Sequence, residues 1–469
     1  MLNHLSRRTL LKTTASGFGY IAFAGLASAA AEKEKAGPLA PKKPHFPAKA
    51  KRVIFLCMEG APSHVDTFDH KPKLIADDGK PYSRGRFAGA KLLGPLWKFN
   101  QHGESGLWIS ELYPELAKHA DEMCIINSMQ TDQPNHPQAF VAMHTGIFQA
   151  TRPSMGAWVL YGLGTENENV PGFITLSPPG QNGGPVNYGS AFLPAIYQGT
   201  PIRGLGGRGP GGGAPGGPGG GAPSISNISN PRQSTSSQRV QLDYVQELNR
   251  AALERDEVNP GIEGVIESYE LAFRMQGELP KLMDLSKETE ATKKLYGVDD
   301  QATQSFGRQC LLARRFVEAG VRFVELTHPG WDHHRDLKNL LGRAAAATDK
   351  PMAGLIADLK SRGLLKDTLI IWGGEFGRTP FAQGNDGRDH NNKAYSTWMA
   401  GGGVKGGLAY GQSDDYGYEA VEKPVHVHDW HATILHLLGF DHEKLTYRYA
   451  GREMRLTDVK GNVVKDIVS

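Results

Sequence analysis

Cysteine is scarce in this 469-residue sequence, which has only Cys57, Cys124 and Cys310, each in an apolar stretch. An odd and sparse set of cysteines excludes a disulfide framework, so we expect buried free thiols. An excess of charge is missing as well, because 52 basic residues stand against 49 acidic ones. Without a strongly basic surface, nucleic acid is not an expected partner.

Long apolar runs are absent beyond the N-terminal region. There, a stretch with the paired residues Arg7 and Arg8 precedes a short run of small and apolar residues over 17–31. This order is typical of a twin-arginine signal over residues 1–31, which implies the twin-arginine export machinery as a partner and a periplasmic or otherwise exported protein. A membrane-spanning helix needs ~20 apolar residues, so we expect no stable span after signal removal, with an uncleaved anchor as the alternative.

The remaining sequence predicts one large α/β domain over residues 52–469, preceded by an extended Pro- and Lys-rich tether over 32–51. Continuous apolar runs are typical of parallel strands buried on both faces, and helical periodicity precedes several of them. The predicted strands cover residues 52–58, 123–126, 173–176, 321–326, 368–372 and 397–400. The predicted helices cover residues 238–257, 301–319, 337–361 with an interruption at Pro351, and 430–438. This alternation predicts a mostly parallel central sheet with helices on its faces.

One stretch lacks the side chains that a packed structure needs. Residues 204–223 are almost wholly Gly, Pro and Ala, which bury too little surface to offset the entropy of ordering the backbone. We therefore predict a disordered insertion at about residues 203–236. A phosphate-binding loop is disfavoured, because no apolar strand leads directly into these glycines.

Ionisable side chains cluster where three predicted strands end. Glu59 follows the first strand, Asp332 and His334 follow the strand at 321–326, and Glu375 follows the strand at 368–372. His390 lies in a loop soon afterwards. Ligands bind at the carboxyl ends of strands in open α/β sheets, so we expect these side chains to meet at one rim and bind a metal ion. Taken singly, a carboxylate after a strand could instead cap the next helix.

Five stretches of the sequence together resemble a known family. They cover residues 56–69, 152–158, 372–380, 387–390 and 427–439. By these motifs the chain is identified as a member of the exported sulfatase-like family labelled domain of unknown function 1501. That family resembles the alkaline-phosphatase superfamily, which implies an alkaline phosphatase/sulfatase-like α/β fold and metal-dependent hydrolysis of phosphate or sulfate esters. The implied substrate is a small or carbohydrate-linked anionic ester.

The resemblance also implies metal ligands. Glu59 stands where the superfamily places a metal-binding Asp, and Glu375 stands where it places the acidic half of an Asp-His pair. Phe376 occupies the position of the histidine of that pair. Asp332 and His334 resemble the residues that bind the other metal, although their spacing is shorter than usual.

His390, in the motif Gly-Arg-Asp-His, resembles a late histidine ligand of the superfamily. The implied cofactor is one or more divalent metal ions. Mixed oxygen and nitrogen ligands favour Zn, Mn or Fe, whereas a carboxylate-dominated set favours Ca or Mg. The sequence leaves the identity and the number of ions open.

The attacking group is the least defined part of the predicted site. The superfamily places a Ser, Thr or formylglycine-forming Cys at the start of a helix that soon ends in Thr-Gly, and the comparable helix here begins at His136. Thr131 could attack the ester, or a metal-bound water could attack with His136 as a ligand or a base. Equally, Thr131 could be a loop hydroxyl and Asn135 the helix cap. Arg378 could clamp the anionic ester or pair with a neighbouring carboxylate.

Two hypotheses of function follow from these residues. The leading one is an exported, metal-dependent hydrolase of phosphate or sulfate esters. The alternative is a non-catalytic or degenerate metal- or ligand-binding protein on the same scaffold, because a fold does not guarantee its chemistry.

Overall fold

In the computed structural model of the chain, the described residues are 37–83, 87–205, 225, 228, 232–255 and 260–469. The predicted export signal over 1–31 lies outside these residues, as does the greater part of the predicted disordered insertion. None of the helices in the described ranges is long and apolar enough to cross a membrane.

A nine-stranded mixed sheet forms the centre of the fold. Its strands are β1 (Arg52–Glu59), β4 (Met123–Gln130), β5 (Phe173–Leu176), β6 (Thr200–Ile202), β7 (Phe323–Pro329), β8 (Thr368–Gly373), β11 (Tyr395–Ala400), β12 (Leu408–Tyr410) and β15 (Val425–His426). They lie in the order β12-β4-β11-β8-β1-β7-β5-β6, with β15 also paired to β4. Only β11 runs antiparallel to its neighbours, so the predicted mostly parallel sheet is confirmed.

The other described strands form two-stranded hairpins outside this sheet. They are β2 (Phe99–His102) with β3 (Leu107–Ser110), β9 (Gly377–Gln383) with β10 (Gly387–Asn391), β13 (Gln412–Ser413) with β14 (Ala420–Glu422), and β16 (Tyr447–Tyr449) with β17 (Arg452–Met454). The β9-β10 hairpin comes directly after β8, so it projects from the carboxyl end of a central strand.

Helices cover both faces of the sheet, as predicted. They are α1 (His64–Thr67), α2 (Pro72–Ala76), α3 (His136–Thr145), α4 (Met155–Leu163), α5 (Thr235–Arg255), α6 (Pro260–Met283), α7 (Glu290–Leu295), α8 (Gln304–Glu318), α9 (Leu337–Ser361) and α10 (Val427–Leu437). Short 3-10 helices cover Leu116–Glu122, Gly184–Tyr188, Ala195–Tyr197, Leu365–Asp367 and Lys465–Ile467. Alternate residues of β1 point to opposite faces, so Ile54 and Leu56 pack with α8 and α9, whereas Phe55 and Cys57 pack with α3, α4 and α10.

The interruption predicted at Pro351 is wrong, because α9 is one 25-residue helix from Leu337 to Ser361. Pro351 is buried within it, and residues before and after it, including Leu341 and Leu355, pack in the same core. Burial of this apolar face outweighs the backbone hydrogen bond that the proline removes.

Residues 37–51, the described part of the predicted tether, form no helix or strand and lie against the domain. Leu39 and Ala50 are buried. The backbone N–H of Lys42 donates to the Leu163 carbonyl at 2.8 Å, and Lys42 Nζ donates to the Tyr161 carbonyl at 2.8 Å. These contacts fix the segment beside α4.

Candidate metal centre

Four side chains that could bind a metal come from three parts of the chain and lie close together beyond the carboxyl ends of the central strands. His136 is the first residue of α3, Asp332 and His334 lie in the loop after β7, and His390 lies on β10. One ligand atom from each residue lies within 4.8 Å of every other. We call these four residues the rim cluster.

Two close approaches of backbone allow these loops to meet. Gly60, in the turn after β1, has a φ of +112°, and a Cβ there would lie 2.6 Å from the backbone N of Asp332. A Cβ on Gly387, at the start of β10, would collide with the His334 carbonyl. Glycine at these positions therefore lets the β1 turn and the β9-β10 hairpin pack against the loop that carries Asp332 and His334.

The distances between the ligand atoms of the rim cluster resemble those between neighbouring ligands of one metal ion. Asp332 Oδ1 lies 3.2 Å from His136 Nε2, 2.9 Å from His334 Nε2 and 3.5 Å from His390 Nε2. His334 Nε2 and His390 Nε2 lie 2.9 Å apart. Two ligands at ~2.1 Å from one ion, at tetrahedral or octahedral angles, lie about 3.0–3.4 Å apart. The observed spacings therefore match what a single transition metal ion requires.

The second ring nitrogen of each histidine fixes the direction of the first. In all three rings Nδ1 is hydrogen-bonded to an oxygen atom outside the cluster. The acceptors are Glu375 Oε1 for His136, Gln383 Oε1 for His334 and the Pro134 carbonyl for His390. These oxygens can only accept, so Nδ1 donates and a neutral ring directs the lone pair of Nε2 into the cluster. Such outer acceptors are the usual partners of metal-binding histidines.

Electrostatics also match the needs of a cation. Burial opposes the charged imidazolium, yet hydrogen bonds to Asp332 and Glu375 outweigh it and raise the pKa of His136 to about 9. The pKa of Asp332 is held far below its usual range, because His136, His390 and Arg378 together outweigh its desolvation. His136 Nε2 is buried and lies 3.2 Å from Asp332 Oδ1. The residues present therefore fit a divalent ion, which would take the place of the proton on His136 Nε2.

Arg378 holds Asp332 from inside the protein. Its side chain is fully buried, and its guanidinium donates to Asp332 Oδ1 at 2.6 Å and to the Ala61 carbonyl at 2.9 Å. A further bond goes to the Gly60 carbonyl. Of the two roles left open by the sequence, the structure places Arg378 in the pairing with a carboxylate.

The two glutamates predicted as ligands lie outside the rim cluster. Glu375 is buried, with its oxygens 3.1 and 3.3 Å from the Gly60 backbone N–H, and it accepts from His136 Nδ1 at 2.6 Å. Glu59 accepts from Asn182 Nδ2 at 2.8 Å, and burial raises its pKa although that hydrogen bond opposes the shift. Neither carboxylate is among the four convergent ligand atoms.

Thr131 and Asn135 do not join the cluster either. Asn135 is the N-cap residue of α3, and its side chain contacts Gln138 at 3.3 Å. Thr131 lines a separate cavity of about 140 Å³ together with residues that include His428 and Lys460. Among the described residues, no hydroxyl group is hydrogen-bonded to a ligand atom of the rim cluster.

A buried ion pair, which sequence reasoning missed, positions the hairpin that carries His390. Arg388 on β10 donates to Asp66 on α1 through Nε at 2.7 Å, and both side chains are fully buried. Other guanidinium N–H groups of Arg388 donate to Asp66 Oδ1 at 3.3 Å and to the carbonyls of Leu93, Gly94 and Thr379. Asp66 stands in the polar stretch after the first strand and Arg388 in the motif that ends at His390, but no local pattern indicates that the two side chains pair.

A family model described as "Protein of unknown function (DUF1501)" matches residues 50–468. No curated protein matches the chain.

Solved structures with some likeness to the chain include three distant proteins. The PsFucS1 sulfatase from Pseudoalteromonas sp. is 15% identical with a TM-score of 0.35, and the match covers 84% of this chain and 68% of that chain. A protein in the alkaline phosphatase superfamily from Vibrio parahaemolyticus is 10% identical with a TM-score of 0.36, and the match covers 86% of this chain and 70% of that chain. The C-terminal periplasmic domain of EcEptC from Escherichia coli, in complex with zinc, is 9% identical with a TM-score of 0.35, and the match covers 86% of this chain and 88% of that chain. At these identities and scores the likenesses assign neither an activity nor a substrate.

Proposed function

The chain belongs to the DUF1501 family, and from this premise and the geometry of its rim cluster we propose that it is a metal-dependent hydrolase of phosphate or sulfate esters. The observation that carries the proposal is the convergence of three histidine Nε2 atoms and one Asp332 oxygen at metal-ligand spacing.

The donor set favours a transition metal ion. Three imidazoles and one carboxylate suit Zn, Mn or Fe, whereas Ca and Mg prefer oxygen ligands throughout. His136, Asp332, His334 and His390 would bind the ion, and Glu375 and Gln383 would orient two of the rings. Calcium, one of the ions that the sequence left open, therefore becomes the least suitable.

A bound divalent ion would supply Lewis acidity, which polarises an ester and makes water a better nucleophile at neutral pH. The protein's own residues hold the ligands rigid and leave one side open. The Asp332 side chain is 44% exposed and that of His334 is 34% exposed, so an ester can approach from solvent. Arg378 keeps the Asp332 carboxylate ionised and in place from the buried side.

Water is the attacking group that the site favours. Thr131 lines another cavity, and no described hydroxyl is hydrogen-bonded to the rim ligands. His136 is held by Glu375 with its Nε2 directed at the cluster, which supports the ligand role over that of a free base. The role of Thr131 as nucleophile is therefore not part of this proposal.

The substrate class comes from the sequence resemblance to the sulfatase-like family, and it is a small or carbohydrate-linked anionic ester. Its negative charge suits a site built around a cation. Export by the twin-arginine route, inferred from Arg7 and Arg8, is part of the same proposal, because a protein exported folded can acquire its metal beforehand.

A second candidate function is metal-dependent binding without catalysis. Two observations favour it. Phe376, which stands in place of a histidine of the superfamily pattern, is buried and contacts the rings of His136 and His390. Arg378 is fully buried, so its guanidinium is not free to clamp an ester.

One experiment separates the two functions. Metal content and turnover of a panel of aryl phosphates and aryl sulfates are measured for the wild-type protein, His390→Ala and a matched control, His102→Ala, on the separate β2-β3 hairpin. We expect the wild type and His102→Ala to hold metal at the rim cluster and hydrolyse at least one ester class, and His390→Ala to lose the rim metal and the turnover. Metal without turnover of any ester would favour the binding protein, and a metal-free wild type would refute both.

A further inference from the structure

A second group of metal-ligand side chains lies deeper in the protein, under the same helix. It consists of Cys57 on β1, His144 near the end of α3 and Glu325 in the middle of β7, and one ligand atom from each lies within 4.8 Å of the others. We call these three residues the buried cluster. All three side chains are at most about 3% exposed.

The sheet register brings the cluster together. β1 and β7 are parallel neighbours in which Phe55 pairs with Glu325 and Cys57 pairs with Thr327. Residues two apart on a strand share a face, so Cys57 and Glu325 point to the same side of the sheet. That side is the one that α3 covers, and His144 reaches Glu325 Oε1 from α3 with its Nε2 at 3.1 Å.

The histidine of the buried cluster has the orientation of a metal ligand. His144 Nδ1 donates to the Phe140 carbonyl one turn earlier on α3, at 2.7 Å. In a neutral ring this leaves the lone pair of Nε2 directed at Glu325. The arrangement repeats the one found for the three histidines of the rim cluster.

The surroundings hold more polar groups than a simple ion pair explains. The hydroxyls of Thr175, the β5 neighbour of Glu325, and of Thr327, the β7 neighbour of Cys57, are buried on the same face and make no hydrogen bond among the described residues. A buried carboxylate in an apolar layer is costly unless its charge is balanced. A thiolate, a carboxylate and a divalent cation sum to zero charge, and a coordinating thiol loses its proton to the bound ion.

We propose that Cys57, His144 and Glu325 form a second metal site, separate from the rim cluster, that binds a soft divalent ion such as zinc. Thiolate and imidazole ligands select Zn²⁺ over Ca²⁺ or Mg²⁺. Because the site is enclosed, the ion enters as the chain folds and stabilises the packing of α3 on the sheet. The proposal does not depend on the proposed hydrolase function.

Cobalt substitution tests this site, because thiolate ligation gives Co²⁺ a near-ultraviolet charge-transfer band that nitrogen and oxygen ligands do not give. The protein is produced in zinc-depleted, cobalt-supplemented medium. We expect the band in the wild type, its loss in Cys57→Ser and its retention in His390→Ala, which alters only the rim cluster. Cys124→Ser and Cys310→Ser are matched controls that should keep the band, since both cysteines are buried but belong to neither group of ligand residues.

A second measurement on the unaltered protein covers the case in which Cys57→Ser does not fold. X-ray absorption of the zinc-loaded wild type should show a sulfur scatterer at ~2.3 Å besides nitrogen and oxygen at ~2.0–2.1 Å. Absence of both the charge-transfer band and the sulfur shell would overturn the proposal and leave a buried His144–Glu325 ion pair. A band that persists in Cys57→Ser would overturn it too. A wild-type protein that binds metal at the buried cluster but none at the rim cluster would refute the hydrolase proposal and leave this one standing.

Discussion

The rim cluster and the buried cluster are both built on α3, one at each end. His136 opens the helix and His144 lies eight residues later, about 12 Å along the axis. The rim cluster has three histidines, each with its Nδ1 bonded outward, and partly exposed side chains, whereas the buried cluster has one histidine with a thiol and a carboxylate inside an apolar layer. The same residue type therefore lies in an accessible cluster at one end of the helix and in an enclosed cluster at the other, and the exposure of the side chains distinguishes the two.

Substitutions in the two clusters should differ most in their effect on the free energy of unfolding of the metal-free protein. Glu325→Leu leaves the His144 ring buried without its partner, and breaking a buried pair in this way costs about 3–5 kcal/mol. His390→Ala removes the hydrogen bond to the Pro134 carbonyl and the contact with His334 Nε2 at a site whose side chain is 20% exposed, which costs about 1–2 kcal/mol. Denaturant unfolding of chelator-treated protein measures both values.

The double variant His144→Leu/Glu325→Leu is the control, because replacing a buried pair by apolar residues removes the unpaired charge. It should regain most of the stability that Glu325→Leu loses. Equal losses of stability in Glu325→Leu and His390→Ala would break the distinction between an enclosed and an accessible cluster.

Much of the fold could be predicted from the sequence, since burial on both faces of a parallel sheet demands apolar runs. The run predicted over 368–372 is β8, Thr368–Gly373, and the run over 173–176 is β5. The error at Pro351 shows the limit of local rules, because tertiary packing maintains a helix that proline disfavours.

The candidate site could be predicted only in part. The strand-end rule led to Asp332, His334 and His390, which the structure brings together, and their metal binding stays a prediction. It also led to Glu59 and Glu375, which lie outside the cluster, because sequence does not reveal to which side of a turn a side chain points. The His144–Glu325 pair spans 181 residues, so no local pattern could have revealed it.

The orientation of the rim histidines can be tested through Gln383. Gln383→Leu removes the acceptor of His334 Nδ1, and loss of such an outer partner weakens metal binding by about 10–100-fold. Gln412→Leu, at an exposed position on β13, should leave the affinity unchanged. Competition with a chromogenic chelator measures the metal affinities of the two variants. An unaltered affinity in Gln383→Leu would show that this outer acceptor does not determine the orientation of the His334 ring.

The proton on His136 predicts how metal uptake at the rim depends on pH. The pKa of His136 is raised to about 9 in the metal-free protein, because its hydrogen bonds to carboxylates outweigh the effect of burial. Below pH 9 the ion must displace this proton, so the apparent affinity should rise about tenfold per pH unit up to about pH 9 and level off above it. Chelator competition across this range, corrected for the chelator's own protonation, would contradict the account if the affinity did not change between pH 7 and 9.

The smallest effect is expected for Thr131, which lies apart from the rim cluster. Thr131→Ala should change turnover of an aryl ester by less than about threefold, because a nucleophile would be indispensable whereas a cavity-lining hydroxyl is not. Steady-state kinetics with a matched metal content check this. Complete loss of turnover with metal and fold intact would restore Thr131 as the attacking group.

Anomalous diffraction at the metal's absorption edge would locate the ion that we propose the rim histidines and Asp332 bind. We expect a peak at ~2.0–2.2 Å from Nε2 of His136, His334 and His390 and from a carboxylate oxygen of Asp332. A peak bound instead by Glu59 and Glu375, or no peak at the rim in protein shown to contain metal, would contradict it.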